Sequence, residues 1–157
     1  HTAAALCWGV AVGCYPFFRK VAELVGRLSA IQDDCAAAEV HRRMSEIYGE
    51  REGTRRTTNM VIQTEASWGA VARVEKGKRI VRLAQTDVQS DELTMWLIEA
   101  ALRYVGKNVS IHSLQSQPVL FPFSLNRPLA YVVSNCPYLD IRSEGPNNQF
   151  VALRSTF

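Results

Sequence analysis

The chain has 157 residues, of which 47% are hydrophobic and 21% are charged. This length suits one ordinary domain or two small ones, and the composition is that of a soluble globular protein rather than of a membrane-embedded chain. The net charge of +3 is uneven, because residues 1–84 hold 13 Lys and Arg against 9 Asp and Glu, whereas residues 85–157 hold 5 against 6. This asymmetry indicates an anionic partner for the first half.

The apolar N-terminus, Ala3–Gly13, predicts a buried helix. It is too short to span a bilayer, and no positively charged segment precedes it as in a signal peptide. Cys7 and Cys14 are seven residues apart and so share one helix face. Together with Cys35 and Cys136 they form no Cys-x-x-Cys pair, and no His lies at zinc-ligand spacing from any of them. Buried, reduced thiols in a cytosolic protein are favoured over a disulfide or metal site.

Two amphipathic helices follow. The first is predicted over Tyr15–Gln32, with Pro16 in its first turn. Its apolar residues recur at three- and four-residue steps: Phe17, Val21, Leu24, Val25, Leu28 and Ile31. Asp33-Asp34 is interpreted as a polar break between helices. The second helix is predicted over Ala36–Tyr48, and Gly49 terminates it. Its apolar face consists of Val40, Met44, Ile47 and Tyr48.

A third helix is predicted to begin at Gly53-Thr54, with Thr54 as N-cap, and to end at Gly69. We expect an inward stripe of Met60, Val61, Thr64 and Trp68. The opposite side carries Arg55, Arg56, Asn59 and Gln63.

A basic β-hairpin is predicted after the third helix. Residues 71–74 and 79–83 are rich in β-branched side chains, which favour strands. The intervening turn contains Gly77, which tolerates positive φ. Lys76, Lys78 and Arg79 crowd the tip of the hairpin.

The polar segment Gln85–Gln89 is the predicted domain boundary. Ser90 caps a helix with an acidic first turn, and Gly106 stops it. Apolar residues at helical spacing define its buried face: Leu93, Trp96, Leu97, Ala100, Ala101, Tyr104 and Val105. Trp96, Phe121 and Phe123 are the expected core of residues 90–157.

The rest of the second half repeats the order of elements in the first. A short strand or helical turn is predicted within Val109–Gln117, and Pro122 excludes a helix through residues 118–123. Asn126 is the expected cap of a short helix over Arg127–Asn135. Strands over residues 138–141 and 149–153 complete the series. Helix, short element, helix and hairpin therefore occur twice, without any residue-level repeat.

This order resembles the winged helix-turn-helix family. The resemblance rests on the Val40/Met44/Ile47 helix, the turn at 49–53, the helix over residues 54–68 and the hairpin around Lys76-Gly77-Lys78. It predicts a mainly α fold with small β-hairpin wings (α+β) and tandem winged-helix architecture. On this resemblance, residues 1–86 are expected to form an N-terminal helix plus a winged helix-turn-helix domain, and 90–157 a reduced second copy.

The resemblance implies that the third helix enters the major groove of double-stranded DNA and that the hairpin touches adjacent backbone or minor groove. Arg55 and Arg56 suit guanine, whereas Asn59 or Gln63 suits adenine. The remaining positions suit phosphate contacts. The predicted nucleic-acid-binding residues are Arg42, Arg43, Arg51, Arg55, Arg56, Thr57, Asn59, Gln63, Lys76, Lys78 and Arg79. The alternative is that these charges are merely solvated, since Glu46, Glu50 and Glu52 lie among them.

Catalytic motifs are missing from the sequence. There is no phosphate-binding loop, no Gly-x-Gly-x-x-Gly and no His-Glu-x-x-His. His41 and His112 lack a recognisable Ser, Cys or Asp partner pattern. We therefore expect no enzyme activity, no cofactor and no metal.

The predicted function is DNA binding by a cytoplasmic, bacterial-type protein. It would act as a transcription regulator or as the DNA-binding subunit of a larger DNA-processing or defence assembly. The alternative is a protein–protein adaptor that uses its winged helices as interaction modules. Residues 90–157 are expected to pack against a protein partner or form a homodimer.

Overall fold

A computed structural model describes residues 2–154 of the chain and has an α+β architecture. The α-helices are α1 (Thr2–Cys14), α2 (Pro16–Leu28), α3 (Ala37–Tyr48), α4 (Glu52–Ser67), α5 (Asp91–Val105), α6 (Ile111–Leu114) and α7 (Leu129–Ser134). The strands are β1 (Asp34–Ala36), β2 (Val71–Val74), β3 (Arg79–Arg82), β4 (Thr86–Asp87), β5 (Val109–Ser110), β6 (Phe123–Ser124), β7 (Leu139–Ser143) and β8 (Gln149–Leu153). A 3-10 turn covers Pro118–Leu120.

The chain folds into two compact units whose segments alternate along the sequence. The first unit contains residues 16–85 and 118–122, and the second contains the described residues of 1–15, 86–117 and 123–157. This division differs from the predicted one in two places. Helix α1 belongs with the second half, because it packs along α5. Residues 118–122 belong with the first half, so Phe121 is a core residue of the first unit rather than of the second.

The first unit contains a three-stranded antiparallel sheet in the order β1-β3-β2. The predicted hairpin is confirmed as β2 and β3, with Val71 opposite Arg82 and Val74 opposite Arg79. Strand β1 is not anticipated by the sequence. Asp34, the second residue of the segment interpreted as a polar break, instead begins this strand, which pairs Cys35 with Ile80.

Helix α2 ends at Leu28, four residues earlier than predicted. The Ser29 hydroxyl donates to the Val25 carbonyl, and Ile31, expected inside, is 96% exposed. Arg82 holds the end of this helix, since its guanidinium donates to Ser29 Oγ at 2.7 Å and to the carbonyl of Gly26 at 2.6 Å. The last carbonyls of the helix thereby find a donor.

Gly26 lies where the backbone of the 118–122 segment approaches α2. A Cβ atom at this position would lie 2.1 Å from the carbonyl oxygen of Pro118. The guanidinium of Arg82 lies over the ring of Phe121, 5.3 Å from its centroid. The segment therefore completes the packing of α2.

Helix α4 is rotated relative to the prediction. It begins at Glu52 with Arg51 as N-cap, so Thr54 lies inside the helix and is not its cap. The buried stripe consists of Thr54, Thr58, Ile62 and Glu65, and replaces the expected stripe of Met60, Val61, Thr64 and Trp68. Met60 is 63% exposed and Trp68 is also exposed. The threonines suit the inward side because the Thr58 hydroxyl donates to the carbonyl of Thr54 at 2.7 Å, within the helix.

Glu65 is fully buried in the first unit. Neither of its carboxyl oxygens has a hydrogen-bond partner among the described residues. Burial therefore raises the pKa of Glu65 well above its ordinary value, which favours the protonated carboxyl group. The nearby Cys35 thiol is also buried, and burial raises its pKa to about 11.

The second unit is built around α5, which packs against α1. Gly9 permits this close packing, because a Cβ there would lie 2.0 Å from Nε1 of Trp96. Trp8 contacts Phe123 edge-on at 5.9 Å. The opposite side of α1 is exposed and carries Cys7 and Cys14, so the prediction that these thiols are buried is wrong. Among residues 2–154, no helix is both long enough and apolar enough to span a membrane.

The predicted ends of α5 are confirmed. The side chain of Ser90 accepts a hydrogen bond from the amide of Leu93, and Gly106 ends the helix at a φ of 73°. The segment before it, predicted as an unstructured boundary, contains β4, which pairs in parallel with β6. Asn126 does not cap α7, which has Pro128 at that position. The side-chain amide of Asn126 instead donates to the carboxylate of Asp87 at 2.7 Å.

Both units contain the same order of elements. In the first, helix α2 is followed by β1, α3, α4, β2 and β3, and in the second α5 is followed by β5, α6, α7, β7 and β8. The sheet order is also equivalent, β1-β3-β2 in one and β5-β8-β7 in the other. The prediction that this order of elements occurs twice is confirmed.

The orientation of α4 predicts that truncating two neighbouring apolar side chains changes the free energy of unfolding by very different amounts. Ile62→Ala should lower the free energy of unfolding by about 2–5 kcal/mol, because it leaves a cavity beneath α4. Met60→Ala removes a largely exposed side chain and should change it by less than about 0.5 kcal/mol. Urea unfolding of both variants measures the difference. A larger loss of unfolding free energy for Met60→Ala than for Ile62→Ala would instead support the buried stripe expected from the sequence.

The burial of Glu65 predicts a stability that depends on pH. In the unfolded chain this carboxyl ionises above its ordinary pKa of 4.5, whereas burial raises its pKa in the folded state. Folding then requires proton uptake, so the free energy of unfolding falls as the pH rises from 4.5 towards the raised folded-state pKa. Relative to the parent, Glu65→Gln should gain up to ~1.4 kcal/mol per pH unit across this window.

Urea unfolding between pH 4 and pH 8 gives this difference directly. Glu50→Gln is the matched control, because it makes the same chemical change at an exposed position of the same unit. A constant difference between Glu65→Gln and the parent at all pH values would show that Glu65 does not titrate in this way.

Candidate nucleic-acid interface

The outward side of α4 borders the β2–β3 hairpin across a groove of about 390 Å³. Because the stripe of Thr54, Thr58, Ile62 and Glu65 faces inward, the residues about half a turn away from it project from the other side of the helix. Arg55, Arg56 and Gln63 are exposed there, and Asn59 is half-buried. The full lining of this hairpin groove is Glu52, Arg55, Arg56, Asn59, Met60, Gln63 and Arg73.

A second groove, of about 640 Å³, lies between α3 and α4. It is lined by Ala38, His41, Arg42, Ser45, Glu46, Glu50, Arg51, Glu52 and Arg55. Arg55 therefore borders both grooves. The acidic side chains of this α3–α4 groove offset its arginines, so the more cationic surface is the hairpin groove.

Asn59 lies at the centre of a hydrogen-bond cluster that joins three elements. Its Oδ1 is 3.1 Å from Nε2 of His41 on α3 and accepts from Nη2 of Arg73 on β2 at 3.3 Å. The same Arg73 nitrogen donates to the carbonyl of Gly77 at 3.1 Å. We call His41, Asn59, Arg73 and the Gly77 carbonyl the Asn59 cluster. It connects α4 to the turn of the hairpin.

Sequence reasoning assigned no role to His41 or Arg73. Arg73 lies two residues after the buried Val71 on β2, so both side chains lie on the same side of the strand, which faces α4. A cation on that side requires an acceptor, and this was the signal available in the sequence. His41 gave no comparable signal.

The environment of His41 favours the neutral imidazole. Burial lowers its pKa below 6.5, and the positive charges of Arg55 and Arg73 lower it further, while the bond to Asn59 opposes these effects. Because the imidazole is neutral at pH 7, its Nε2 donates to Asn59 only in the tautomer that carries the proton there.

The predicted phosphate contacts on α3 are ion-paired within the helix. Arg42 contacts Glu39 at 2.7 Å and also Glu46, and Arg43 contacts Glu39 at 3.1 Å. Hydrogen bonds from both arginines lower the pKa of Glu39 to about 2. Exposed ion pairs of this kind contribute little to stability, so a phosphate could still compete for either guanidinium. In the free protein, however, their charges are balanced.

The hairpin tip presents two lysines without ion pairs. Glu75, Lys76 and Gly77 all have positive φ, at 52°, 58° and 84°, and form a tight turn closed by a hydrogen bond from the Gly77 amide to the carbonyl of Val74. Lys76 and Lys78 are exposed and form no ion pair within residues 2–154. Arg79, predicted to act with them, instead contacts Asp34 of β1 at 2.9 Å.

The remaining predicted residues differ in their availability. Arg51 donates to the carbonyl of Tyr48 at 3.0 Å, in the turn before α4, and Thr57 is half-buried. Arg56 lies 4.0 Å from Glu52, and both side chains are highly exposed. Gln63 and Arg55 are exposed. The groups on this side of the unit without a side-chain partner among the described residues are therefore Arg55, Gln63, Lys76 and Lys78, while Arg56 is exposed and only loosely paired with Glu52.

The second unit has a groove between α6 and its own β7–β8 hairpin, with a different chemistry from the hairpin groove of the first unit. This groove of about 470 Å³ is lined by Ile111, His112, Ser143, Gly145, Asn147 and Gln149. This lining contains no Lys or Arg. The short helix α7 exposes Tyr131, which is 61% accessible, where α4 of the first unit exposes arginines.

No protein-family model, curated protein or solved structure is significantly similar to this chain. Within residues 2–154, no group of three or more His, Cys, Asp or Glu side chains could hold a metal ion. Function is therefore inferred from the geometry of the side chains.

The position of Arg55 predicts the titration of His41. Arg55→Ala removes a positive charge that disfavours the imidazolium, so the pKa of His41 should rise. The chain has only three histidines, which allows each ring to be followed by NMR during a pH titration. Arg56→Ala, which removes the same charge from the next residue, is the control. If the pKa of His41 is the same in the parent and in the Arg55 variant, the charge of Arg55 does not influence the imidazole.

Proposed function

We propose that the first unit binds double-stranded DNA, with α4 in the major groove and the β2–β3 hairpin against the adjacent backbone. The observation that carries this proposal is the convergence of exposed polar and cationic groups on one side of the unit. Arg55, Arg56 and Gln63 on α4 border the same groove as the hairpin that carries Lys76 and Lys78 at its tip.

The order of elements supports a winged helix-turn-helix. Helices α3 and α4 are separated by a turn at Gly49, whose φ is 95°, and α4 leads directly into a hairpin. In such proteins the second helix of the pair enters the major groove. The repeated order of elements in the second unit supports a tandem winged-helix architecture, of which the first unit is the DNA-binding copy.

The residue chemistry suits this arrangement. Each exposed guanidinium of Arg55 and Arg56 can donate two parallel hydrogen bonds to O6 and N7 of guanine. Lys76 and Lys78 can contact phosphate oxygens as point charges, which position the protein without reading sequence. Arg42, Arg43 and Arg79 would have to exchange their carboxylate partners for phosphates, so their contributions would be smaller.

The second unit is better suited to a protein partner. Residues 85–157 carry one more acidic than basic side chain, and Tyr131 and Tyr138 are both more than half exposed. Exposed tyrosines are common in protein interfaces, whereas a near-neutral surface attracts a polyanion weakly. These tyrosines also favour the second candidate function, an adaptor that binds proteins through its winged helices. A transcription regulator or a subunit of a DNA-processing or defence assembly would accommodate both units.

A salt series on the 157-residue chain tests the proposal. Fluorescence anisotropy with a random-sequence duplex should show affinity that falls steeply as salt rises, because phosphate contacts release counterions. The Lys76→Ala/Lys78→Ala double variant should lower the slope of log affinity against log salt by about 2.

The matched control removes the same charge from the second unit. Lys107→Ala/Arg142→Ala replaces two exposed cations there and should leave the slope nearly unchanged. Equal slopes for both double variants would show that the charge effect is not local to the hairpin. Tight binding of a protein partner, with no duplex binding at low salt, would instead support the adaptor. Point variants are preferable to truncation, because each unit contains segments from both halves of the chain.

A further inference from the structure

The hydrogen bonds of Asn59 conflict with the role that its position on α4 suggests. Paired recognition of adenine by an asparagine requires its amide nitrogen to donate to N7 and its carbonyl oxygen to accept from N6. Arginine is only a donor, so the Asn59 atom that faces Arg73 must be the oxygen. That oxygen is also the atom within hydrogen-bond distance of His41.

Nε2 of His41 lies 3.1 Å from this oxygen, and because two acceptors would repel each other at that distance, the contact selects the tautomer in which Nε2 donates. The acceptor capacity of Asn59 is then already used. An amide oxygen has two lone pairs, and both are occupied when the neutral His41 donates through Nε2. An adenine N6 amino group approaching this oxygen would have to displace a donor that is half-buried within the first unit.

Gln63 lies one helical turn further along the same groove and lacks these restraints. It is exposed, and its amide forms no hydrogen bond within residues 2–154. Its side chain is also one methylene longer than that of Asn59. The carbonyl oxygen and the amide nitrogen of Gln63 are therefore both available for paired hydrogen bonds to a base edge.

We infer that Gln63 reads adenine in the major groove and that Asn59 is a positioning residue that fixes the hairpin relative to α4. This inference rests on the proposed function for its DNA part and on the Asn59 cluster alone for its positioning part. Gln63 is thereby a specificity-determining residue, whereas Asn59 contributes to binding indirectly, by fixing the hairpin relative to α4.

The Asn59 cluster connects these two roles through Arg73. One Arg73 nitrogen bridges Oδ1 of Asn59 and the carbonyl of Gly77, and Gly77 lies between Lys76 and Lys78. Without the acceptor on α4, the turn loses its link to the helix. The two lysines would then reach phosphates less often, although their charges remain.

Hydrogen exchange on the free protein tests the positioning role without DNA. Asn59→Ala should speed the exchange of the Gly77 and Lys78 amides, which bond to Val74 and Glu75 across the turn. Asn59→Asp retains acceptor oxygens for His41 and Arg73 and should keep exchange slow, as should Gln63→Ala. Unchanged exchange in Asn59→Ala would overturn the positioning role.

Selection from a randomised duplex library tests the reading role. Gln63→Ala should lose a preference for adenine at one position by about tenfold, with little change in affinity for unrelated duplexes. Asn59→Ala should retain that preference, weaken binding to all duplexes by a common factor and reduce the salt slope by up to about 2. Loss of the adenine preference in Asn59→Ala, with its retention in Gln63→Ala, would reverse the two assignments.

The two measurements also separate this inference from the proposed function. If the parent chain binds no duplex at low salt, DNA binding fails and the reading role of Gln63 fails with it. The exchange data still decide whether Asn59 fixes the hairpin. If the parent binds duplexes without any adenine preference, only the reading role is overturned.

Discussion

The orientation of α4 about its own axis is the constraint on which the candidate site depends. The buried stripe of Thr54, Thr58, Ile62 and Glu65 fixes which side of the helix faces the interior of the first unit. Most residues on the opposite side, including Arg55 and Gln63, are exposed as a consequence. A rotation of about 100°, equivalent to one residue, would bury part of this surface and expose Ile62.

This stripe is chemically unusual, because only Ile62 is a typical core residue. The threonines satisfy part of their hydrogen-bonding capacity within the helix, as Thr58 does with the Thr54 carbonyl. Glu65 has no such compensation among the described residues, and burial raises its pKa. The orientation of α4 therefore depends on tertiary packing against its neighbours rather than on its own amphipathicity.

Sequence reasoning succeeded where local signals are strong. Helix α5 has a serine cap, an acidic first turn and a glycine stop, and each acts within a few residues of the helix. The β2–β3 hairpin was also predictable, from β-branched strands and a glycine turn. Strand β1 was not, because three residues are too few to establish a period. Its pairing with β3 depends on residues 45 positions away, as the contact between Asp34 and Arg79 illustrates.

The candidate site was predictable in composition but not in connectivity. Helical spacing alone places Arg55, Asn59 and Gln63 on one side of α4, and the structure agrees. The occupied oxygen of Asn59 depends on His41 and Arg73, which come from two other elements. The core of α4 was misread for a related reason, since threonine and glutamate are normally counted as exposed. Only the tertiary partners of a side chain determine whether its polar atoms are free.

The close approach of Pro118 to Gly26 has a consequence for folding during synthesis. Helix α2 leaves the ribosome before the segment that completes its packing, which follows some 90 residues later. At typical elongation rates of about 5–20 residues per second, the nascent first unit would expose part of its apolar core for several seconds. Helix α1 likewise lacks its packing partner until α5 has been synthesised. Interleaved connectivity thus makes late completion of both cores, and transient exposure to chaperones or to neighbouring nascent chains, an inherent property of this fold.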